Sequence, residues 1–362
     1  MRLMHYFLLL DALGNVLWSK MFNVKIFICL FACVAIIAAC RGGIDIPTEF
    51  PTPPPVPNAT PAAKIVLKPD VELEKQIAEI AKEAKGKVGV AAVLLETGDS
   101  AMLNGDQQFP MQSVYKLPIS MAVMEQVRLG KLELDEKIGV TRDDFVRPGM
   151  RSPLRDANPN GGEFTIRELI RLALVESDGT ASDVLMRIAG GADEIQYYLT
   201  QIGINDMKVV NTEKELGMDW ETQYKNWATP TGSIELLRWL WISHRAEGSD
   251  RRETKDISKN CLTGYNMIFC DMAASTTGLN RLAGLVTRVR LRDWPPTVAH
   301  KTGTSGTRDN ITAATNDIGL ISRGGDGIAI AVFVSDSPAD EKTREAVIAK
   351  IAKAVWDRWG QK

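Results

Sequence analysis

Ser113 and Lys116 lie three positions apart in the stretch FPMQSVYKLPIS, at the beginning of an apolar run. A serine hydroxyl is a weak nucleophile at neutral pH and needs a base within hydrogen-bond reach. Residues i and i+3 of a helix share a face, so the two side chains could meet one turn apart. The spacing therefore permits a serine nucleophile with a lysine base. Alone, it is equally typical of a helix start with a solvated lysine, because chance gives roughly one Ser-x-x-Lys in a chain of this length.

Two further stretches carry polar groups of the same kind. HKTGTSG, residues 300–306, puts Lys301 on a predicted strand, followed by Thr302 and Gly303, and glycine allows close backbone approach by a ligand. ESDG, residues 176–179, lies at a predicted break between two helices and carries Ser177. Ser-Asp occurs four times in the chain, so the dipeptide itself is uninformative. Its position between the other two stretches is the informative feature.

Together the three stretches resemble the S-x-x-K, S-D-N and K-T-G set of the serine β-lactamases and the penicillin-binding DD-peptidases. The resemblance covers about residues 66–362 and includes TTGLNRL, ATNDIG and the C-terminal helix. Within that superfamily the chain is most similar to class A β-lactamases, particularly to the branch with a sequence like QYKNWATPTG.

The resemblance implies that Ser113 attacks the lactam carbonyl and forms an acyl-enzyme. Lys116 would act as base or proton relay, which requires burial or a neighbouring cation to make it lose a proton more easily. Lys301 could be that cation. Ser177 would pass a proton to the departing lactam nitrogen.

The resemblance also implies a substrate-binding strand and an oxyanion hole. Lys301, Thr302 and Thr304 would bind the substrate carboxylate, with Gly303 between them. The backbone N–H groups of Ser113 and Thr304 would form the oxyanion hole, so their side chains are uninformative for that role.

Hydrolysis of the acyl-enzyme needs a group that activates water, which in class A is a glutamate. The candidate stretch is VVNTEKELGMDW. Glu213 fits the pattern Glu-x-x-Leu with Leu216, and Glu215 fits a register shifted to Met218. We favour Glu213, because it lies 36 residues after Ser177, as the resemblance leads us to expect. Either could instead be a solvated loop carboxylate.

Three features depart from the family pattern. Gly179 occupies a substrate-binding position where asparagine is usual, and Gly217 occupies a position where a polar side chain commonly holds the deacylating water. Both should affect turnover more than acylation. HRAEGSDRRETKDISKNCLTGYNMIFC is interpreted as a surface insertion. It carries Cys261 and Cys270, which could form a disulfide or remain two buried thiols.

The pattern of elements predicts an α+β fold of the β-lactamase/DD-peptidase type. Strands are predicted near both ends of the domain, in KVGVAAVLLETGDSAMLN and in TVAHKTGTS, NITAATNDIGLIS and GIAIAVFVSDS, with helices between and at both termini. The antiparallel sheet and its flanking helices would form an α/β lobe over residues 66–107 and 283–362. Residues 108–282 would be an inserted all-α lobe, and the cleft between the lobes a ligand site.

Residues 1–40 are interpreted as a leader, with Met21 as an alternative true start. From Met21, a basic residue precedes the apolar IFICLFACVAIIAA, which is short for a membrane span and suits a signal peptide. IIAAC resembles the lipobox of bacterial lipoproteins, which predicts lipidation of Cys40 and an exported, membrane-anchored protein. A plain signal peptide, with no role for Cys40, is the alternative. Residues 41–65 are proline-rich and predict an extended tether.

Composition gives no reason to expect nucleic acid, a metal ion or a cofactor as a partner. A formal net charge of -2 offers no reason to expect nucleic acid, and we expect a monomer that acts on small β-lactam substrates. With three histidines and no CxxC or HExxH motif, neither a metal site nor a cofactor is expected. Two other functions remain open: a DD-peptidase or carboxypeptidase acting on cell-wall peptides, and a non-hydrolytic β-lactam sensor or wall-binding lipoprotein.

Overall fold

The computed structural model describes residues 65–247, 261–285, 297–323 and 325–360. The predicted leader, Cys40 and the tether up to residue 64 lie outside the described residues, as do residues 248–260, about half of the predicted insertion.

A seven-stranded sheet is the centre of the described part of the chain. Its strands are β1 Lys68–Pro69, β2 Lys87–Leu94, β3 Asp99–Leu103, β9 Thr297–Thr304, β10 Thr307–Arg308, β11 Ile311–Arg323 and β12 Asp326–Ser337. Their order is β1-β3-β2-β12-β11-β10, with β9 also paired to β11, and every pairing is antiparallel except the two-residue pairing of β1 with β3. The α+β class and the longer strands predicted at both ends of the domain are therefore confirmed.

Apolar residues on both faces of the central strands explain why helices cover the sheet on both sides. In β12, Ile328, Ile330 and Val332 pack in one core with the first and last helices, whereas Ala329 and Phe333 face a second, larger core. A strand that is buried on both faces reads as a continuous apolar run rather than an alternating one. This is why the stretch GIAIAVFV of β12 carries no polar side chain.

Ten α-helices lie in the described residues. They are α1 Val71–Ala81, α2 Lys116–Arg128, α3 Pro153–Ala157, α4 Ile166–Val175, α5 Gly179–Ile188, α6 Ala192–Gln201, α7 Glu213–Leu216, α8 Pro230–Glu247, α9 Gly264–Ala273 and α10 Glu341–Trp359. Helix α4 begins with a capping box, in which the Thr165 hydroxyl accepts from the Glu168 N–H and the Glu168 carboxylate accepts from the Thr165 N–H. No helix of the described residues is long and apolar enough to cross a membrane.

The prediction of an all-α lobe over residues 108–282 is wrong in two respects. Short strands occur within it: β4 Phe109–Pro110, β7 Met207–Lys208 and β8 Trp227–Ala228 form one small sheet, and β5 Lys137–Val140 and β6 Gly162–Thr165 form another. Strands of two to four residues are too short to show a periodicity in sequence. Moreover, α8 packs on the main sheet. Its Trp241 ring lies so close to Gly327 of β12 that a Cβ added to this glycine would be 2.6 Å from the ring.

Cys261 and Cys270 are joined in a disulfide, with their Cα atoms 5.8 Å apart. Cys270 belongs to α9, and Cys261 lies just before that helix. The bridge therefore ties the first described residue after the gap at 248–260 to a helix of the fold.

Candidate active site

Ser113 lies on a 3-10 helix, Gln112–Tyr115, which leads directly into helix α2 at Lys116. In a 3-10 helix residues i and i+3 are aligned, so Ser113 and Lys116 project on the same side, as the sequence predicts. Ser113 is partly exposed, whereas Lys116 is 1% exposed. Gln112 has φ of 49°, a left-handed backbone that costs energy in a residue other than glycine. The chain thus bends sharply just before the serine.

Lys116 connects the helix of Ser113 to two distant segments. Its Nζ donates a hydrogen bond of 2.8 Å to the backbone oxygen of Ser177. The same Nζ lies 3.3 Å from Oε2 of Glu213. An ammonium group buried to this extent needs such partners, because an unpaired buried charge is strongly unfavourable.

Lys301 also contacts Ser177, through the serine hydroxyl. Strand β9 carries the lysine, which is fully buried and donates from Nζ to Ser177 Oγ at 2.9 Å. Burial, and then the positive charge of Lys116, hold the pKa of Lys301 well below its usual value, while Asp317 opposes this shift. Ser177 thus accepts hydrogen bonds from both ammonium groups, through its carbonyl oxygen from one and through its hydroxyl from the other.

Glu213 and Glu215 point in different directions. The Tyr115 hydroxyl donates to Glu213 Oε2 at 2.8 Å, on the same oxygen that faces Lys116. Burial raises the pKa of the Tyr115 phenol well above its usual value, with the Glu213 charge adding to the effect, so the phenol remains a donor. Glu215 instead accepts from the N–H and hydroxyl of Thr212, as part of the capping box of α7. Of the two candidates, Glu213 is the one that reaches the lysine.

Asp183 holds the backbone of the Glu213 segment. It lies on α5, and its carboxylate accepts from the Glu213 N–H at 2.6 Å and from the Lys214 N–H at 3.0 Å. Despite these hydrogen bonds, burial raises the pKa of Asp183 to about 7. The negative charge of Glu213 also raises it, whereas Lys116 lowers it. Asp183 is therefore partly protonated near neutral pH.

We expect Asp183→Asn to weaken the pH dependence of stability. The folded-state pKa is raised from 3.8, so the folded protein retains a proton that the unfolded chain releases. The stability gained from this group is full below pH 3.8 and is lost as the pH rises through 7. Relative to the variant, the wild type should lose about 3 kcal/mol between about pH 5 and about pH 8, at 1.36 kcal/mol per pKa unit. Urea unfolding of both proteins at the two pH values measures this, and a difference independent of pH would contradict it.

The two glycines that depart from the family pattern lie where side chains of other residues fill the space. A Cβ at Gly179 would be 2.8 Å from Cγ of Glu213. A Cβ at Gly217 would be 2.6 Å from Sδ of Met150 and 3.0 Å from Nε of Arg147. Neither glycine leaves a hole that a larger residue could occupy without movement of its neighbours.

Gly303 brings strand β9 against the turn that carries the serine. A Cβ at Gly303 would collide with the carbonyl oxygen of Met111 and would be 3.1 Å from Cβ of Gln112. We expected this glycine to admit a ligand, but the close approach is made by the chain itself. Its neighbour Thr302 is fixed by a 2.8 Å hydrogen bond between its hydroxyl and that of Thr277.

Arg281 places a buried cation behind strand β9. Its guanidinium donates to Thr304 Oγ1 at 2.8 Å and to the backbone oxygen of Asn316 at 3.0 Å. Glu345 of the last helix pairs with its Nε at 3.1 Å. The side chain is 3% exposed. This end of β9 therefore carries positive charge from Arg281 as well as from Lys301.

Three residues of this site have no role in the sequence interpretation: Tyr115, Asp183 and Arg281. Arg281 lies within TTGLNRL, where a buried arginine has no signature that separates it from a solvated one. Tyr115 could have been noticed, because it lies between Ser113 and Lys116. Asp183 belongs to one of the four Ser-Asp dipeptides, and only its contact with the Glu213 segment distinguishes it from the aspartates of the other three.

Known β-lactamases match the chain in both sequence and structure. A sequence model of the beta-lactamase enzyme family matches residues 72–359. Beta-lactamase VEB-1 of Pseudomonas aeruginosa is 36% identical over 288 residues, which cover 79% of this chain and 89% of the relative. The extended-spectrum beta-lactamase PER-1 of Pseudomonas aeruginosa is 33% identical over 287 residues, covering 78% and 86%.

Solved structures show the same likeness in three dimensions. The beta-lactamase from Chitinophaga pinensis superposes with a TM-score of 0.69 at 36% identity, covering 79% of this chain and 99% of that chain. A class A beta-lactamase from Bacteroides cellulosilyticus superposes with a TM-score of 0.68 at 29% identity, covering 81% and 98%. Together with the contacts of Lys116 and Lys301 with Ser177, these likenesses establish that the chain belongs to the beta-lactamase enzyme family, as a class A member.

Proposed function

We propose that the protein hydrolyses the β-lactam ring through an acyl-enzyme on Ser113, which a water activated by Glu213 then clears. The observation that carries this proposal is the double contact of Ser177, whose carbonyl oxygen accepts from Lys116 and whose hydroxyl accepts from Lys301. The contact brings together three stretches that are distant in the chain, and Glu213 joins them at Lys116.

In the acylation step, the Ser113 hydroxyl attacks the lactam carbonyl carbon and loses its proton to Lys116. The lysine can accept it only as a neutral amine. Its 3.3 Å contact with Glu213 supports a route by which the ammonium proton moves to the carboxylate first. The backbone N–H groups of Ser113 and Thr304 would stabilise the oxyanion, which the packing of Gly303 against the serine turn supports.

Cleavage of the lactam C–N bond requires a proton on the departing nitrogen. Ser177 would supply it from its hydroxyl, which accepts a hydrogen bond from Lys301. A hydrogen bond received from a cation makes a hydroxyl more acidic, and Lys301 has a lowered pKa, so Lys301 can replace the proton that Ser177 gives up. Proton transfer would therefore run from Lys301 through Ser177 to the nitrogen.

The carboxylate of a β-lactam would bind at the strand end of the crevice. Lys301, Thr302 and Thr304 are the groups that the family resemblance assigns to it. Arg281, which donates to Thr304 Oγ1, adds a second buried cation beside that hydroxyl. Hydrogen bonds to ionised groups are stronger than neutral ones, so a charged substrate end should orient the ring over Ser113.

Deacylation would use Glu213 as the base for water, after the proton that it took from Lys116 during acylation has passed to solvent and Lys301 has regained a proton from solvent. Tyr115 and Asp183 support this role, since they hold its carboxylate and its backbone. The side chain of Met150 occupies the volume next to Gly217, where related enzymes place a polar residue. Water activation would then depend on Glu213 with less help from that position.

Turnover of a chromogenic cephalosporin by the purified protein tests this proposal. Multiple turnovers per enzyme molecule are expected. Stoichiometric acylation that stops after one equivalent would instead indicate a penicillin-binding peptidase or a sensor.

We also propose export and lipid attachment at Cys40. The sequence IIAAC at the end of an apolar core, followed by the proline-rich residues 41–65, supports it. We expect incorporation of a radioactive fatty acid into the full chain in bacterial cells and its loss in Cys40→Ser. Equal labelling of both proteins would contradict attachment at this residue. The matched control is Cys33→Ser, which replaces another cysteine of the leader and should remain labelled.

A further inference from the structure

The two N–H donors of the proposed oxyanion hole come from segments that are far apart in the chain. Ser113 lies on the 3-10 helix Gln112–Tyr115, whereas Thr304 is the last residue of strand β9. Such donors act only when both stand about 3 Å from the place where the negative charge develops. The fold must therefore hold the serine turn, residues 110–113, at a fixed distance from β9.

Asn316 of strand β11 contacts the serine turn through its side chain. Its Nδ2 donates to the backbone oxygen of Pro110 at 2.7 Å and to that of Met111 at 3.2 Å. Asn316 is fully buried, so water cannot easily replace these hydrogen bonds. One amide group thus holds two successive carbonyl groups, and it does so directly before Gln112 and Ser113.

The Met111 carbonyl is the acceptor at which the helix of the nucleophile begins. The Val114 N–H donates to the same oxygen at 3.3 Å, which is the first hydrogen bond of the 3-10 helix. The Met111 N–H donates to the backbone oxygen of Asn226 at 2.9 Å. Both polar groups of Met111 are therefore held. The left-handed φ of 49° at Gln112, which follows, is a conformation that persists only when the surrounding structure enforces it.

The backbone of Asn316 connects to strand β9. Asn316 pairs with Gly303 in the ladder between β11 and β9, and Gly303 lies so close to the Met111 carbonyl that a Cβ there would collide with it. The backbone oxygen of Asn316 accepts from Arg281 at 3.0 Å, and Arg281 also donates to Thr304 Oγ1 at 2.8 Å. Asn316 therefore joins the serine turn on one side to the Thr304 end of β9 on the other.

We propose that Asn316 is a positioning residue that fixes the distance between the Ser113 N–H and the Thr304 N–H. It contacts neither the substrate nor a reacting atom, and it acts through the backbone of the serine turn. The inference rests on the proposed hydrolysis and adds to it the residue that sets the geometry of the oxyanion hole. Without the amide, both donors remain but can move apart, which weakens binding of the charged transition state more than binding of the substrate.

Asn316→Ala is expected to lower kcat/KM for a chromogenic cephalosporin by about 30-fold, since outright removal of an oxyanion donor costs about 10²–10³-fold and a displaced donor should cost less. The second readout is the Kd of an acylaminomethyl boronic acid. Its boron becomes tetrahedral and negatively charged when the serine oxygen adds to it, so it resembles the transition state. This Kd should rise about tenfold. Asn316→Ser keeps one donor of shorter reach and carries the test if the alanine variant does not fold, with an expected loss of about tenfold in kcat/KM.

Ser337→Ala is the matched control. Ser337 lies on β12, is fully buried and donates its hydroxyl to the Ala84 carbonyl oxygen, which belongs to neither the serine turn nor β9. This variant should lose stability to urea, as Asn316→Ala does, but should keep kcat/KM and the boronic acid Kd within about twofold of the wild type.

Three outcomes would contradict the inference. A wild-type boronic acid Kd in the folded Asn316 variants would overturn the positioning role alone, and so would an equal weakening in Ser337→Ala. A wild-type protein that does not turn over the cephalosporin would overturn the proposed function and the positioning role with it.

Discussion

Ser113→Ala is expected to abolish turnover of a chromogenic cephalosporin, with kcat reduced on the order of 10⁴-fold or more. We do not expect the Ser177 hydroxyl to replace it, because that group accepts a hydrogen bond from Lys301 and has the separate role of protonating the lactam nitrogen. The variant should still fold, because Ser113 is only partly buried and the change removes one oxygen. Initial rates at saturating substrate, together with circular dichroism, measure both expectations.

Ser120→Ala is the control for this variant. Ser120 lies on α2, which follows the 3-10 helix of Ser113; it is fully buried and donates its hydroxyl to the Lys116 carbonyl oxygen rather than to a catalytic side chain. Its turnover should remain within about tenfold of the wild type, since loss of one buried hydrogen bond costs about 1 kcal/mol. Comparable losses in the two variants would mean that the Ser113 effect is structural.

Glu213→Gln is expected to convert the enzyme into one that is acylated once and then stops. A glutamine cannot remove a proton from water, so deacylation loses its base. Acylation should be slower, because a glutamine cannot take the Lys116 proton either, but it should still proceed, since that proton can leave to solvent and the hydrogen bonds of Ser177 with Lys116 and Lys301 remain. Deacylation should slow by about 10³-fold, as expected for loss of a general base. Mass spectrometry of the intact protein should then show a persistent increase equal to the mass of the β-lactam.

Glu215→Gln tests the same loop without touching the lysine. Glu215 caps α7 through Thr212, and a glutamine can fill the same position of the capping box, so its replacement should leave both stability and turnover nearly unchanged. The alternative register of the sequence interpretation would give the reverse result, with acyl-enzyme accumulating in the Glu215 variant and turnover preserved in the Glu213 variant.

Long elements of the fold could be predicted from the sequence because each carries its own pattern. Strands β2 and β12 are apolar runs bounded by turn residues, and α10 has nineteen residues with buried positions at helical spacing. The break between α4 and α5 at Ser177 also follows from sequence, since α4 ends at Val175 and α5 begins at Gly179. Strand β4 could not be predicted, because two residues define no period.

The catalytic stretches could be found from the sequence because they are short, local motifs. The contacts among them are not local: Lys301 and Ser177 lie 124 positions apart, and Lys116 and Ser177 lie 61 apart. Asp183 and Arg281 act only through such distant contacts, so nothing in their immediate neighbours reveals them. Gly179 shows the same limit, since its sequence suggests a missing amide, whereas the structure shows Glu213 in the space that a side chain would need.

The Ser113 oxygen is the atom that we expect to form the covalent bond to the substrate, and every later step of the reaction depends on that bond. Digestion of the acylated Glu213→Gln protein, followed by peptide mass spectrometry, locates it directly. We predict the added mass on the peptide that contains Ser113, with fragment ions that place it on this residue. An adduct on Ser177 or on a lysine of the crevice, or no adduct on a correctly folded protein, would contradict the proposed mechanism.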